Sequence, residues 1–456
     1  DLHSFPTRRS SDLAINSKLA RIGTYCFHGS NIAEVILGRP SENSGLEIGD
    51  CAFWNCNSSS MNISAEYGSI KSVGAYSFAG CTQLGNVDFL EGAKTIGYKA
   101  FYGCQGITEI NLTKTVESVC ESAFEGCYGI NGGISWEQAT ESSILDNGNI
   151  KIGARAFYGC TGQNNESWSL VIPSQVHKIE KSAFFGCGMN AVTWGSSTYT
   201  SSVAYEISDD ELATGEPGIF ENCTKLSSVT FLVETDTVPS RCFCRCNGLT
   251  SVSIGSAIVT IRPYAFFGCS SLTNASLASV IANASGEIGN YAFAGCTSID
   301  TVAVPSTVTA LGEGCFNRSS EDFFIGNYEG SDSFNAGPVP DYWGISDFES
   351  WMTEHYGNKR TDVWAVYDGI CLVESTDFNP LNVSWDAQTG SIGAGCFMNC
   401  HGLDIDWDNF PSLVKVPAYC FYNCQNLFIN QNLAELPSTI TSFGRFSLAR
   451  TGMNTA

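Results

Sequence analysis

The stretch IGYKAFYGC occupies residues 96–104, and VCESAFEGC follows at 119–127, so that Phe101 and Phe124 stand 23 residues apart. The same phrase, centred on its Phe, recurs at Phe27, Phe53, Phe78, Phe157, Phe184, Phe220, Phe243, Phe266, Phe293, Phe316, Phe397 and Phe421. Between successive phrases runs Leu-x-x-Val-x-Leu, as in Ile107, Ile110 and Leu112, or Leu249, Val252 and Ile254. Its last two apolar positions lie two apart and share one face, the pattern of a short half-buried strand. The phrase itself places apolar or small residues at helical offsets, for example Ile261, Ala265, Phe266 and Cys269, which predicts a turn or two of helix. One such unit cannot bury its own apolar face, so neighbours must stack. The expected fold class is an α/β solenoid with short parallel strands on one face and helical or 3-10 turns opposite. Each coil should advance about 4.8 Å, the spacing between strands, with the Phe of one coil lying on that of the next.

The composition suits a folded chain: 456 residues, 43% hydrophobic and 12% aromatic. Against 46 acidic residues stand 23 basic ones, for a formal charge of -23. That field disfavours phosphate backbones and anionic lipid, so nucleic acid is excluded as an expected partner. No apolar run reaches the roughly 18 residues of a membrane span. The opening DLHSFPTRRSSDL, residues 1–13, lacks the repeat spacing and resembles translated sequencing-adapter sequence. It is set apart as non-native. On that reading the natural N-terminus lies elsewhere, and a missing export signal says nothing about compartment.

The phrase Ile-Gly-x-x-Ala-Phe-x-x-Cys followed by Leu-x-x-Val-x-Ile-Pro resembles the BspA-like class of leucine-rich repeat, found on surface proteins of mucosal bacteria and parasitic protozoa. The resemblance covers about four fifths of the chain, down to a degenerate last copy, FGRFSLART at 443–451, with Leu448 where Phe is expected. It implies a secreted or cell-surface location, adhesion to host or microbial surface proteins or glycans, and no shared catalytic residues. The competing fold is a right-handed β-helix of the pectate lyase kind. Its coils should each show several period-2 segments, whereas only one per coil is visible here.

Twelve of the 21 cysteines stand three residues after the repeat Phe, and Cys26, Cys242, Cys315, Cys396 and Cys420 stand just before it. Repeat position accounts for these, so a buried column of free thiols acting as small hydrophobes with weak hydrogen bonds is expected. CFCRC at 242–246 is the one local cluster, and only Cys244 in it departs from the repeat positions. Neither zinc nor any other cofactor is expected. The five histidines are scattered. DIDWDN at 404–409 begins like a calcium loop but lacks the Gly and the closing Glu, and reads as a solvated strand.

In compact coils seven residues separate the strand's last apolar residue from the next Ile or Val, as from Leu112 to Val119. Extra chain falls at 38–47, 137–151, 195–214, 278–287 and 320–382, and all of it is expected to leave from one edge, where repeat proteins build binding surfaces. The expected organisation is therefore 14–319 as a repeat block, 320–382 as an insertion, and 383–456 as a second repeat block. Within the insertion, Ser346 and Glu349 form a capping box for a helix ended by Gly357, and VWAVYDGICLV at 363–373 reads as a hairpin.

Two functions follow from these features. The first is an extracellular, adhesin-like binding protein that is not an enzyme. It would use Thr108, Asn111, Ser227, Thr230, Thr250 and Ser253 on the strand face, with Trp351 and Tyr356 in the insertion. The alternative is a polysaccharide-directed enzyme built on a β-helix or on the insertion. Converging carboxylates would mark that alternative, but the exposed strand positions are Ser, Thr and Asn.

Overall fold

A computed structural model describes residues 12–15, 19–37, 45–57, 61–65, 70–113, 115–136, 150–162, 168–173, 175–195, 206–207, 217–232, 236–254, 259–318, 363–367, 370–373, 380–385, 391–405, 414–425, 427, 438–444, 447–449 and 451. The chain divides into two units, Asp1–Ile258 and Val259–Ala456.

In the first unit a coil contributes two strands, except that the 3-10 turn Asp88–Leu90 stands in place of one first strand. Glu109–Leu112 buries Ile110 and Leu112 and exposes Glu109 and Asn111. It pairs in parallel with Gly133–Trp136 of the next coil, Ile110 on Ile134 and Leu112 on Trp136. Ser118–Val119 then pairs with Thr95–Ile96 on one side and Lys151–Ile152 on the other. These second strands form one eight-stranded parallel sheet from Arg21–Ile22 to Glu206–Ile207. The first strands form shorter ladders, of which the longest joins Ser169–Ile172, Ala191–Trp194, Ser228–Phe231 and Ser251–Ile254. The seven-residue spacing read from the sequence thus runs from the end of one strand, Leu112, to the end of the other, Val119.

The segment read as helical is not a helix. In the coil of Phe101, the N–H groups of Lys99, Phe101 and Gly103 donate across to the carbonyls of Glu121, Ala123 and Glu125 at 3.1, 2.7 and 2.8 Å. Those of Ala100, Tyr102 and Cys104 turn back to Gly97, Lys99 and Phe101, each at 3.1 Å. A helix keeps its N–H bonds within itself, whereas this segment sends every second one to its neighbour. The geometry follows from left-handed residues two before and two after the Phe: Lys99 has φ 51° and Gly103 φ 71°, and Ser122 and Gly126 repeat them at 56° and 77°. The apolar spacing fits a helix and this alternating turn equally well, and only the φ signs separate them. The turns therefore make a third lateral ladder opposite the first strands.

The core lies between these ladders. From Phe53 to Phe243 each repeat ring is buried and stacked on the next, with centroids 4.9–5.7 Å apart. Where a Gly follows a second strand, as at Gly49, Gly74, Gly97 and Gly153, two coils approach closely. A Cβ on Gly97 would sit 2.6 Å from the carbonyl oxygen of Val73, whose coil also receives the Gly97 N–H at 2.8 Å. At Ile96-Gly97 the Gly thus fits a close coil contact, while Cys120 and Glu180 make the same cross-coil bond in other coils.

The second unit has parallel ladders of its own, one of Thr260–Ile261, Gly286–Ile288, Val308–Leu311 and Ser391–Ile392, and one of Thr301–Val304, Pro380–Trp385 and Gly402–Ile405. Phe266, Phe293, Phe316, Phe397 and Phe421 stack at 5.4–6.0 Å. One coil replaces its first strand with the helix Asn274–Ile281, capped by Thr273 Oγ1 accepting from the Ser276 N–H and seated on Leu277, Val280 and Ile281. Among the described residues this is the single α-helix.

Several sequence expectations change. Asp12 and Leu13 pair with Glu34 and Val35 in the opening ladder. The strand Pro380–Trp385 spans the expected boundary at 383, with Asn382 paired to Thr301. The hairpin is present, Val363–Tyr367 against Ile370–Val373, while the expected helix lies outside the described residues. The insertions do not share one edge. Those at 38–47, 137–151 and 278–287 precede a second strand, and 195–214 itself contains the second strand Glu206–Ile207. The largest leaves after the turn of Phe316 and rejoins at a first strand, on the other side of the coil. Counting from the strand alone missed this, since a compact coil has two connections and either can lengthen.

Candidate functional site

The first-strand face presents side chains in columns because the strands pair in register. Thr230 lies between Thr193 and Ser253, and Ser228 between Ala191 and Ser251. Asn111 lies beside Ser135, whose Oγ donates to its Oδ1. The apolar partners of these residues point inward, so the outer surface is made of short polar side chains, joined by the exposed Val171.

Of the residues expected to bind, Ser227, Thr230, Thr250 and Ser253 come together on two adjacent coils, and Thr108 and Asn111 sit on a separate ladder. Ser227 and Thr250 precede their strands and are employed by the fold. Ser227 Oγ donates to the Asn190 carbonyl at 2.9 Å, and Thr250 Oγ1 to that of Ser227 at 3.0 Å. Thr108 is exposed, and its carbonyl accepts from the N–H groups of Asn131 and Gly132. Asn111, Thr230 and Ser253 are the three that face outward from mid-strand. Trp351 and Tyr356 lie outside the described residues.

The cysteine column has a specific role. Cys81, Cys104 and Cys127 donate from Sγ to the carbonyls of Phe53, Phe78 and Phe101 of the preceding coil at 3.0, 3.0 and 3.3 Å, and the pattern recurs down both units. None of the cysteines whose side chains are described is joined in a disulfide. Burial pushes Cys127 and Cys160 well above the ordinary thiol range and Cys296 up to about 12, which keeps them protonated and unreactive. In CFCRC, Cys244 is likewise raised by burial, with Glu221 nearby adding to the effect. Among the described residues no three His, Cys, Asp or Glu side chains gather as metal ligands.

Several ion pairs link neighbouring coils. Lys71 meets Glu47 and Lys94 meets Glu117, both at 2.7 Å and both exposed, so each contributes little. Arg241 grips Glu221 with two bonds, 2.8 and 2.6 Å, and Glu221 also accepts the Gly218 N–H at 2.8 Å.

A second surface escaped the sequence reading. On the turn face of the first unit, exposed or half-buried rings flank the buried Phe column: Tyr25, His28, Trp54, Tyr76, Tyr98 and Tyr102. Trp54 lies 6.2 Å from Tyr25 and 6.3 Å from Tyr76, which lies 5.3 Å from Tyr98. The Lys99 ammonium sits over Tyr76, Tyr98 and Tyr102 at 5.9, 5.3 and 5.1 Å. The available signal was partial: Tyr25 and Tyr76 stand two before their repeat Phe and His28, Trp54 and Tyr102 one after, while Tyr98 stands three before.

Fold and surface together define a parallel-strand solenoid of leucine-rich repeats. The chain matches the BspA type Leucine rich repeat region, in six copies, over residues 3–131, 136–208, 205–322 and 377–455. It belongs to that family. Among solved structures it is similar to a leucine-rich repeat protein from Bacteroides ovatus, with 16% identity over 95% of this chain and 92% of that one and a TM-score of 0.39. A leucine rich cell surface protein from Faecalibacterium prausnitzii aligns at 21% identity over 69% and 86% of the two chains, with a TM-score of 0.38. The pneumococcal vaccine antigen PcpA aligns at 12% identity over 68% and 76%, with a TM-score of 0.32. No curated protein matches the chain.

Proposed function

We propose that this protein is an extracellular or cell-surface binding protein, adhesin-like, that engages protein or glycan ligands through the first-strand face of its solenoid and the adjoining loops. The observation that carries this reading is the in-register outer column Thr193, Thr230 and Ser253. A flat array of short hydroxyls on a rigid parallel ladder offers hydrogen bonds at fixed intervals without ordering long side chains on binding. Family membership supports a surface location, and among the described residues no helix is long and apolar enough to cross a membrane. The outer column that carries the reading, Thr193, Thr230 and Ser253, offers hydroxyls for recognition and no pair of carboxylates for catalysis.

The test is binding of the purified chain to immobilised host extracellular-matrix proteins and mucins, comparing the parent with Thr230→Lys and Ser253→Lys. Loss of binding with unchanged melting supports the strand face as the site. Full binding by both variants removes it from that face.

A further inference from the structure

We propose that the aromatic row on the turn face of the first unit is a platform for an extended, uncharged glycan chain, a second binding surface that does not depend on the strand-face reading. Its rings remain open to solvent after folding: Tyr25 is 55% exposed, Tyr102 42% and Tyr98 38%. They are nevertheless held in place. Tyr76 and Tyr98 meet edge to face, and Lys99 spans three rings, a cation–π arrangement that fixes the tyrosines before any ligand arrives.

Charge selects the partner. In a chain of net charge -23, the turn segments of the four coils that build this row, residues 23–30, 49–57, 74–82 and 97–105, contain one acidic residue, Asp50, and one basic residue, Lys99. Asp50 is engaged, its Oδ1 accepting the Ala75 N–H at 2.8 Å. The platform is therefore neutral within an acidic protein. A polyanion is repelled by the whole chain, and a polycation is drawn to the acidic remainder; an uncharged partner loses nothing at this surface.

Shape selects it further. The rings rise with the coils, 5.3 Å from Tyr76 to Tyr98, close to the length of one sugar residue in an extended chain. The same turn segments carry small residues beside the rings in sequence, among them Ala75, Ala79 and Gly103, and no further large apolar side chain that would serve as a socket wall for a protein anchor is part of the row. Phenol hydroxyls and an indole N–H edge the apolar faces, the pairing of flat apolar surface with polar rim that a pyranose presents in mirror image.

The test is a microarray of neutral and acidic glycans probed with the full chain, followed by calorimetry with a hexasaccharide of the best neutral hit. Trp54→Ala and Tyr102→Ala should each weaken binding about five- to tenfold, the worth of one stacked ring. Tyr102→Phe should restore it, and Thr230→Ala with Ser253→Ala should leave it unchanged. Melting temperatures of the row variants should match the parent. The proposal is overturned if no neutral glycan binds, if acidic glycans bind better, or if the ring variants leave the affinity unaltered. It is equally overturned if those variants abolish binding to a protein ligand and to no glycan.

Discussion

Replacing Phe124 with Ala tests the stacking that holds the first unit together. The Phe124 ring is fully buried, 4.9 Å from Phe101 and 5.4 Å from Phe157, with planes within 3° of both. Phe-to-Ala changes in cores cost about 3–5 kcal/mol, depending on how far the site can collapse. Here collapse is blocked. The pitch of the coils is set by backbone bonds, Phe101 N–H to Ala123 and Phe124 N–H to Ala156, both at 2.7 Å, so the flanking rings cannot close the gap. Both aromatic pairs are lost as well, each worth about 0.5–1.5 kcal/mol beyond burial. The upper part of that range, about 4–5 kcal/mol, is expected. Urea melts followed by circular dichroism give the total, with Ser253→Ala as a surface control expected within about 0.5 kcal/mol. Native-state hydrogen exchange gives the location, because a solenoid coil depends mainly on its neighbours. Protection should fall at 99–104, 120–127 and 153–160 and persist in remote coils. A shift below about 1 kcal/mol, or an even loss of protection along the chain, would refute the stacked-column account.

Other outcomes follow from the same geometry. Gly97→Ala, which drives a Cβ to 2.6 Å from the Val73 carbonyl oxygen, should destabilise by about 1–3 kcal/mol through overpacking; an unchanged melting temperature counts against the close-approach reading. Arg241→Ala strands Glu221, whose side chain is 4% exposed, and should cost about 3–5 kcal/mol in urea melts, whereas Arg241→Ala with Glu221→Gln should recover part of that loss. Iodoacetamide on native protein at pH 8 should label Cys26 and leave the buried column intact until urea is added, as read by mass spectrometry; a bridged column would contradict this. Burial holds Glu313 above the ordinary carboxylate range, with a hydrogen bond from Tyr291 partly opposing it. The folded state therefore favours its protonated form, and its contribution to stability is full in acid and is lost as pH rises through the raised value. Glu313→Gln should raise the melting temperature at neutral pH, with the gain vanishing in acid; a pH-independent difference disproves the linkage.

How much was legible can be seen residue by residue. Ile110 and Leu112 announced a strand, and the strand is there, because a period of two has a single structural meaning over so short a span. Phe101 and Cys104 announced a buried column, since a position that recurs in every coil must stack on itself. The thiol bonds to the preceding Phe carbonyl were foreshadowed only as weak hydrogen bonding. The aromatic row went unread because Tyr76 and Tyr98 hold different offsets from their Phe, and become neighbours only when coils are superposed. Asn111, Thr230 and Ser253 face outward as expected, but the backbone needs of Ser227 and Thr250 depend on where the preceding coil's carbonyls fall.

The sequence by itself determined that this chain is a repeat, which residues are buried in each copy, and that copies must stack, since none can cover its own apolar face. Tertiary structure alone decided how the half after the second strand runs. Offsets of four and five between apolar residues satisfy a helix or an alternating left- and right-handed turn, and the choice depends on whether an N–H finds its acceptor within its own segment or across the coil. With the next coil's carbonyls only one strand spacing away, every second N–H goes across. That same choice laid the tyrosines side by side.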